Sequence, residues 1–247
     1  MTQPVAEDFW ADLRLSTQAR IGLGRAGDAL PTSRVLEFKA AHAAARDAVH
    51  VPLDASTFAA RVAEVGLGDP AVVSSRASTR SEYLRRPDLG RMPESLDEIV
   101  SEEADLGFVL ADGLSPRALE EHGVGLLTAL KEALSQYSIA PPVVATQARV
   151  ALGDHIGLAM GVHTLVVIIG ERPGLSVADS LGIYLTHLPK PGRSDADRNC
   201  ISNIHPPDGQ SYANAARVAA LLISGARELG KSGVALKDTS AAEALEG

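Results

Sequence analysis

The sequence has one cysteine, few aromatic residues and no long apolar run, and each shortage excludes a class of protein. The single cysteine, Cys200, excludes an internal disulfide framework and agrees with a reducing compartment. Aromatic residues make up 4% of the chain, which argues against a surface that stacks nucleic-acid bases. No apolar run reaches the roughly 20 residues that a membrane-spanning helix needs. The first ten residues are acidic and polar rather than a secretion signal, so we expect a cytoplasmic protein with no membrane partner.

The chain also has fewer positively charged than negatively charged residues. The formal net charge is -8, so the field of the protein would repel a phosphate backbone, and no nucleic-acid partner is predicted. The seven histidines form neither an HxxxH pair nor a cysteine–histidine spacing, which predicts no metal site. A GxSxG elbow and a P-loop are absent as well. No catalytic side chain is predicted, and the pattern favours a subunit that holds a cofactor or depends on a partner.

What the sequence does contain is an alternation of short apolar runs with helical patterns. Apolar or β-branched runs bounded by Gly, Pro or Asp predict buried strands. Helical spacing and start signals predict three clear helices, the second with Ser115 as N-cap and Pro116 at its first position. This alternation predicts an α/β fold with a parallel sheet covered by helices on both faces. The strands are predicted at Ala71–Ser75, Leu106–Ala111, Pro142–Thr146, Thr164–Ile169 and Gly182–Thr186, and the helices at Ser33–Val49, Pro116–Leu134 and Tyr212–Leu229.

The chain divides into an N-terminal helical region, residues 1–65, and an α/β domain, residues 66–247. The helical region contains Gly22-Leu23-Gly24-Arg25-Ala26-Gly27, a formal match to the dinucleotide fingerprint. That fingerprint needs a strand before it, and residues 16–21 are not an apolar strand. We therefore interpret the glycines as a flexible connector. They remain the only specific support for the alternative function, a non-catalytic nucleotide-binding or regulatory module of Rossmann type.

The carboxyl ends of the predicted strands are where a ligand would bind in such a sheet. Asp112-Gly113 follows one strand and precedes a well-capped helix. Two interpretations stay open there: the helix amides accept an anion, or Asp112 caps a tight turn in which Gly113 takes a positive φ. Gly170-Glu171-Arg172-Pro173-Gly174 follows another strand, and its last two residues fix a turn. No histidine is placed to activate Cys200, so covalent catalysis by this thiol is not expected.

Eight blocks of sequence, in the same order and across nearly the whole chain, resemble the light chain of ethanolamine ammonia-lyase. Two of them, IGERPGLS at 169–176 and DRNCISNI at 197–204, are close to diagnostic. The others are LGRAGDALPT at 23–32, HAAARDAVH at 42–50, the SRAS and YLRRPDLGR pieces between 75 and 91, ADGLS at 111–115, RVALGDHIG at 149–157 and SLGIYLT at 180–186.

The resemblance implies a Rossmann-like domain that closes over adenosylcobalamin at an interface with a TIM-barrel heavy chain. The complex would convert ethanolamine to acetaldehyde and ammonia by a radical mechanism, in which the cofactor supplies the chemistry. Motif by motif, the residues implied to contact the cofactor are Val150, Glu171 and Cys200. Val150 would pack against the corrin, Glu171 would accept hydrogen bonds from corrin amides, and Cys200 would be a compact contact.

Two departures from related patterns add expectations. Residues 154–157 lack the spacing of the DxHxxG motif that places a histidine beneath cobalt, so His155 is not expected to be a ligand and the cofactor should keep its own base coordinated. The chain also lacks the additional N-terminal segment that is associated with packing into a microcompartment, which favours a free cytoplasmic enzyme. A third alternative is an assembly subunit that braces the heavy chain without touching the cofactor.

Overall fold

The computed structural model describes residues 9–237. Its strands are β1 (Ala71–Ser74), β2 (Leu106–Ala111), β3 (Val143–Thr146), β4 (Thr164–Gly170), β5 (Leu181–His187) and β6 (Asn199–Ile204). Its α-helices are α1 (Ala11–Leu15), α2 (Thr32–His50), α3 (Ala55–Ala63), α4 (Arg80–Arg85), α5 (Pro116–Ala133), α6 (Leu152–Met160) and α7 (Tyr212–Leu229). Two 3₁₀ turns span Leu89–Arg91 and Asp195–Asp197.

The six strands form one sheet in the order β1-β3-β2-β4-β5-β6. The first four in this order are parallel, whereas β5 is antiparallel to both of its neighbours. The predicted α/β class is confirmed, and all five predicted strands are present within one residue of their expected ends. The antiparallel edge arises because β4 and β5 are joined by the loop 171–180, in which no helix carries the chain back to start a parallel strand.

Helices cover both faces of the sheet, as predicted. Alternate residues of β2 point to opposite faces: Phe108 belongs to one apolar core and Val109 to the other. The first core is closed by side chains of α3, α5 and α7, and the second by those of α6. Since α3 supplies buried Phe58 and Val62 to the first core, this part of the N-terminal helical region packs directly on the domain. The boundary near residue 65 stays a prediction.

The helix starts follow local sequence. Ser115 caps α5 as predicted, because its hydroxyl accepts a hydrogen bond from the amide of Ala118 at 3.2 Å. Ser211 caps α7 in the same way. None of the helices in the described part of the chain is both long and apolar enough to cross a bilayer.

The strand order opens a crevice at one edge of the sheet. From β2 the chain runs through α5 to β3 on one side, and from β3 it runs through α6 to β4 on the other side. Because such crossovers are right-handed, the two helices lie on opposite faces and the loops after β2 and β3 diverge. A ligand site is expected outside the carboxyl ends of these neighbouring strands.

Candidate functional site

A cavity of about 430 Å³ lies in this crevice. The loops after β2, β3 and β4 all contribute to its wall, and β5 closes one side. Its lining residues are Tyr83, Gly113, Leu114, Arg149, Val150, Ile169, Gly170, Glu171, Arg172 and Tyr184. The fold therefore gathers five separate sequence segments into one site, and three of them are loops at strand ends.

The loops after β2 and β4 touch backbone to backbone at the floor of the cavity. The amide of Leu114 donates to the carbonyl of Gly170 at 2.9 Å. Gly113 has φ +56, and a Cβ at this position would lie 2.2 Å from the same carbonyl oxygen. A Cβ on Gly170 would lie 2.1 Å from the carbonyl oxygen of Ser115. Both positions therefore need glycine, and the positive φ expected for Gly113 is confirmed.

Ser115 is the N-cap of α5, as predicted, so Asp112 is not needed there. The Asp112 carboxylate instead accepts the backbone amides of Gln147 and Ala148 at 2.8 and 3.0 Å, and it lies 3.3 Å from Nη1 of Arg80. Burial raises the pKa of Asp112, while Arg80 and the backbone amides of Ala148, Gln147 and Gly113 oppose the shift. The buried carboxylate thus fixes the loop after β3 against the end of β2.

Val150 lies in that fixed loop, half-buried at the cavity wall. It packs against the second apolar core, and its carbonyl accepts the amide of Gly153 at 3.0 Å as α6 begins. An apolar side chain anchored in this way presents a firm surface to a ligand.

Glu171 follows β4 directly and lines the same cavity. Its Oε2 accepts the hydroxyl of Ser180 at 2.7 Å and the backbone amide of Asn203 at 3.2 Å. The carboxylate thereby connects the loop after β4 with β6. Further along this loop, the amide of Gly174 donates to the carbonyl of Val177 at 2.7 Å and closes a turn, as the Pro173-Gly174 pair predicts.

Cys200 lies on β6, exposed, and pairs in register with Tyr184 of β5. Tyr184 lines the cavity together with Val150 and Glu171, so Cys200 lies beside this part of the cavity wall. Partial desolvation raises the pKa of the Cys200 thiol, and Glu171 raises it further, although a hydrogen bond with Tyr184 acts in the opposite direction. Desolvation and the neighbouring thiol raise the pKa of Tyr184 to about 12. Both groups are neutral near pH 7, which suits contact rather than nucleophilic attack.

Two residues of the cavity were not predicted from the sequence. Tyr83 of α4 is fully buried and donates to the carbonyl of Ala148 at 3.0 Å. Two guanidinium groups lie near its ring, with centroid distances of 4.7 Å to Arg80 and 4.5 Å to Arg149. Arg149 adjoins Val150 in the RVALGD block and follows the predicted strand Pro142–Thr146, so both the block and the strand end indicated its loop but not its side chain.

The other residues considered as candidates for a functional site lie outside this cavity. The glycines at 22–27 lie between α1 and α2, and residues 9–21 contain no strand before them, so their interpretation as a connector rather than a nucleotide fingerprint is confirmed. His155 is on α6 and lines neither this cavity nor its neighbour. Among the described residues, Glu121, His122 and Asp179 are close enough to share a cation, but Arg117 lies 3.3 Å from both carboxylates and already supplies positive charge there.

Comparison with known proteins gives one consistent family. The family described as ethanolamine ammonia-lyase light chain matches residues 7–237. A protein of Rhodococcus erythropolis called ethanolamine ammonia-lyase small subunit is 70% identical over 239 residues, which cover 96% of this chain and 93% of the relative. A protein of the same description from Bradyrhizobium diazoefficiens is 48% identical, with 93% of this chain and 90% of the relative covered. One from Pseudomonas syringae is 45% identical, with 96% and 85% covered.

Proposed function

The chain belongs to the ethanolamine ammonia-lyase light chain family and is thus a lyase subunit, and on that premise we propose that its carboxyl-edge crevice contacts adenosylcobalamin. One observation carries the proposal. Val150 and Glu171, which follow the consecutive strands β3 and β4, line one cavity, and Tyr184 of the same cavity pairs with Cys200. These are the three residues that the family resemblance implies as cofactor contacts.

The residues present fit one side of a corrinoid. Such a ligand is a broad, largely apolar ring whose rim carries amide groups. Val150 offers apolar surface, and Glu171 offers a carboxylate whose Oε1 accepts no hydrogen bond from the described residues. A second cavity of about 390 Å³ shares Arg149, Val150 and Tyr184 with the first, so the binding surface continues beyond one small pocket. A continuous open groove suits a large ligand that a partner covers from the other side.

In this proposal the chain binds and orients the cofactor and excludes water from it. Adenosylcobalamin, when bound, supplies the radical chemistry by homolysis of its cobalt–carbon bond. Val150 packs against the apolar part of the ring and keeps water from it. Glu171, held by Ser180 and the amide of Asn203, accepts a hydrogen bond from an amide at the rim. Cys200, with a neutral thiol, contacts the ligand without reacting with it.

The proposal includes a partner. A heavy chain folded as a TIM barrel binds ethanolamine and covers the outer side of the cofactor, and the complex releases acetaldehyde and ammonia. His155 lies on α6 and lines neither cavity, so this chain would leave the cofactor's own base coordinated to cobalt. The single, exposed Cys200 supports a cytoplasmic location, where thiols remain reduced.

Ammonia release tests the subunit assignment. Ethanolamine and adenosylcobalamin are added to this chain alone, to a heavy chain of the family alone, and to the two co-expressed. We expect ammonia only from the co-expressed pair, because the described residues of this chain provide a groove but no substrate-binding constellation. A stable complex without activity would contradict catalysis and favour the bracing role.

Replacing Glu171 with alanine should weaken cobalamin binding to the complex. A hydrogen bond to a charged group contributes about 1.5–3 kcal/mol, so we expect the Kd to rise roughly tenfold or more. The measurement is a titration with cyanocobalamin followed by absorbance. Glu132→Ala is the control, because Glu132 is exposed at the C-terminal end of α5 and the cavity lies at the N-terminal end. This change should leave the Kd unchanged.

The same titration separates cofactor contact from bracing. Glu171→Asp and Cys200→Ser are milder changes at two of the proposed contacts. If both variants and Glu171→Ala assemble with the heavy chain and bind cyanocobalamin as tightly as the original chain, these residues do not touch the cofactor.

A further inference from the structure

The second cavity is an arginine cleft. It contains Arg91, Arg149, Arg193 and Arg198, against a single lining acid, Asp195. This concentration of cations stands out in a chain whose formal net charge is -8. A cleft lined by more charges of one sign than of the other attracts ligands of the opposite sign.

Two of the four arginines already have partners. Arg198 makes two hydrogen bonds to Asp154, both at 2.7 Å. Arg193 lies 3.8 Å from a carboxylate oxygen of Asp197 and donates to the carbonyl of Leu188 at 3.1 Å. The fold uses these two guanidinium groups to fix the wall of the cleft.

Arg91 and Arg149 are different. Within residues 9–237, neither side chain makes an ion pair or a hydrogen bond to protein. Their backbones are adjacent, because the amide of Arg149 donates to the carbonyl of Gly90 at 2.8 Å, and both side chains line the cleft. Arg149 is also held in place by the ring of Tyr83, 4.5 Å from its guanidinium carbon. A cation that is positioned but unpaired is ready for a ligand.

Unsatisfied donors mark the same place. Nε of Arg149 and Nε of Arg198 are both buried without a hydrogen-bond acceptor. Arg198 is only 7% exposed, so its orientation is fixed by the fold. Buried N–H groups are nearly always paired in folded proteins, so both guanidinium groups have fewer hydrogen bonds from the protein than their burial requires.

We propose that the arginine cleft binds a phosphate group, and that the phosphodiester in the nucleotide loop of cobalamin supplies it. This rests on the proposed function, since the cleft shares Arg149, Val150 and Tyr184 with the cavity assigned to the corrin. The phosphodiester is the one anionic group of cobalamin, and it is carried on a tail that leaves the rim of the ring. Guanidinium groups bind phosphate oxygens through paired, charge-assisted hydrogen bonds. Free inorganic phosphate has the same chemistry and is the competing source.

The test compares two corrinoids on the complex of this chain with its heavy chain. Cyanocobalamin has the phosphodiester, and dicyanocobinamide lacks it. Arg149→Gln should raise the Kd of cyanocobalamin roughly tenfold or more, and that of cobinamide by less than about threefold, because only one ligand loses a charged hydrogen bond. Arg149→Lys keeps the charge but loses the forked pair of donors, so its Kd for cyanocobalamin should lie between those of the original complex and Arg149→Gln. Arg34→Gln, on exposed α2, is the matched control and should change neither Kd.

Excess inorganic phosphate, compared with chloride at equal ionic strength, separates the two sources. It should weaken cyanocobalamin binding to the original complex and leave cobinamide binding unchanged. An equal loss of both corrinoids in Arg149→Gln would overturn the phosphate assignment while cofactor contact stands. Stabilisation by phosphate that depends on Arg149 but does not compete with cyanocobalamin would make free phosphate the ligand. If neither corrinoid binds the original complex, the proposed function fails, and this inference with it.

Discussion

Replacing Asp154 with alanine is expected to lower the free energy of unfolding by about 3–5 kcal/mol. Asp154 of α6 and Arg198, next to β6, form a two-pronged ion pair whose side chains are each 2% exposed. Nη1 of Arg198 also donates to the hydroxyl of Thr186 on β5. Without Asp154, a buried guanidinium loses its counter-charge and two acceptors, and water cannot replace them without opening the structure. Urea unfolding followed by circular dichroism measures the loss.

Asp195 provides the matched control for this experiment. Its carboxylate lies 3.8 Å from Nε of the same arginine, but its side chain is 97% exposed. Solvent screens such a contact, so Asp195→Ala should change stability by less than about 0.5 kcal/mol. Equal effects of the two substitutions would show that removing negative charge near Arg198, rather than breaking the buried pair, determines the loss.

The buried pair also bears on the site. Burial lowers the pKa of Arg198, but the hydrogen bonds and charge of Asp154 outweigh this effect and raise it, so the guanidinium stays charged. Arg198 lines the arginine cleft, and β6 with Cys200 begins at the next residue. The ion pair therefore fixes α6 and the start of β6 on either side of the groove.

The sheet could be predicted from sequence where its strands are buried on both faces. Leu106–Ala111 and Thr164–Gly170 are buried at every residue, and such strands appear in the sequence as continuous apolar runs. The strand β6 was missed because it lies at an edge. Only Ile201 and Ile204 are buried there, and Asn199, Cys200, Ser202 and Asn203 have the composition of a turn. Its pairing with β5 depends on tertiary contacts that no local pattern shows.

The site could be predicted only in part, for a similar reason. The family motifs indicated Val150, Glu171 and Cys200, and strand ends indicated the loops that carry two of them. The true role of Asp112 depends on amides 35 and 36 residues further along the chain. Tyr83 and Arg149 meet only because α4 folds over the loop after β3. Contacts between segments that are far apart in the sequence produce no local residue pattern, so these contacts could not be predicted from the sequence.

The contact between the loops after β2 and β4 gives the second large prediction, for Gly113→Ala. Alanine must adopt a left-handed φ of +56, which costs about 1–2 kcal/mol. Its Cβ would also lie 2.2 Å from the carbonyl oxygen of Gly170 and 2.5 Å from Cγ1 of Ile169. A backbone carbonyl cannot turn aside as a side chain can, so β4 must move. We expect a total loss of about 3–5 kcal/mol in urea unfolding, at the upper end for a single substitution.

Gly230→Ala separates the two contributions. Gly230 ends α7 with φ +69, and no atom lies within 4 Å of a Cβ added there, so this variant carries the backbone strain alone. It should lose only about 1–2 kcal/mol and keep its cobalamin affinity. Gly113→Ala should lose both stability and affinity, because moving the end of β4 displaces Glu171 from Ser180 and the amide of Asn203. If both variants lose the same stability and neither loses affinity, the close approach of the two loops does not shape the site.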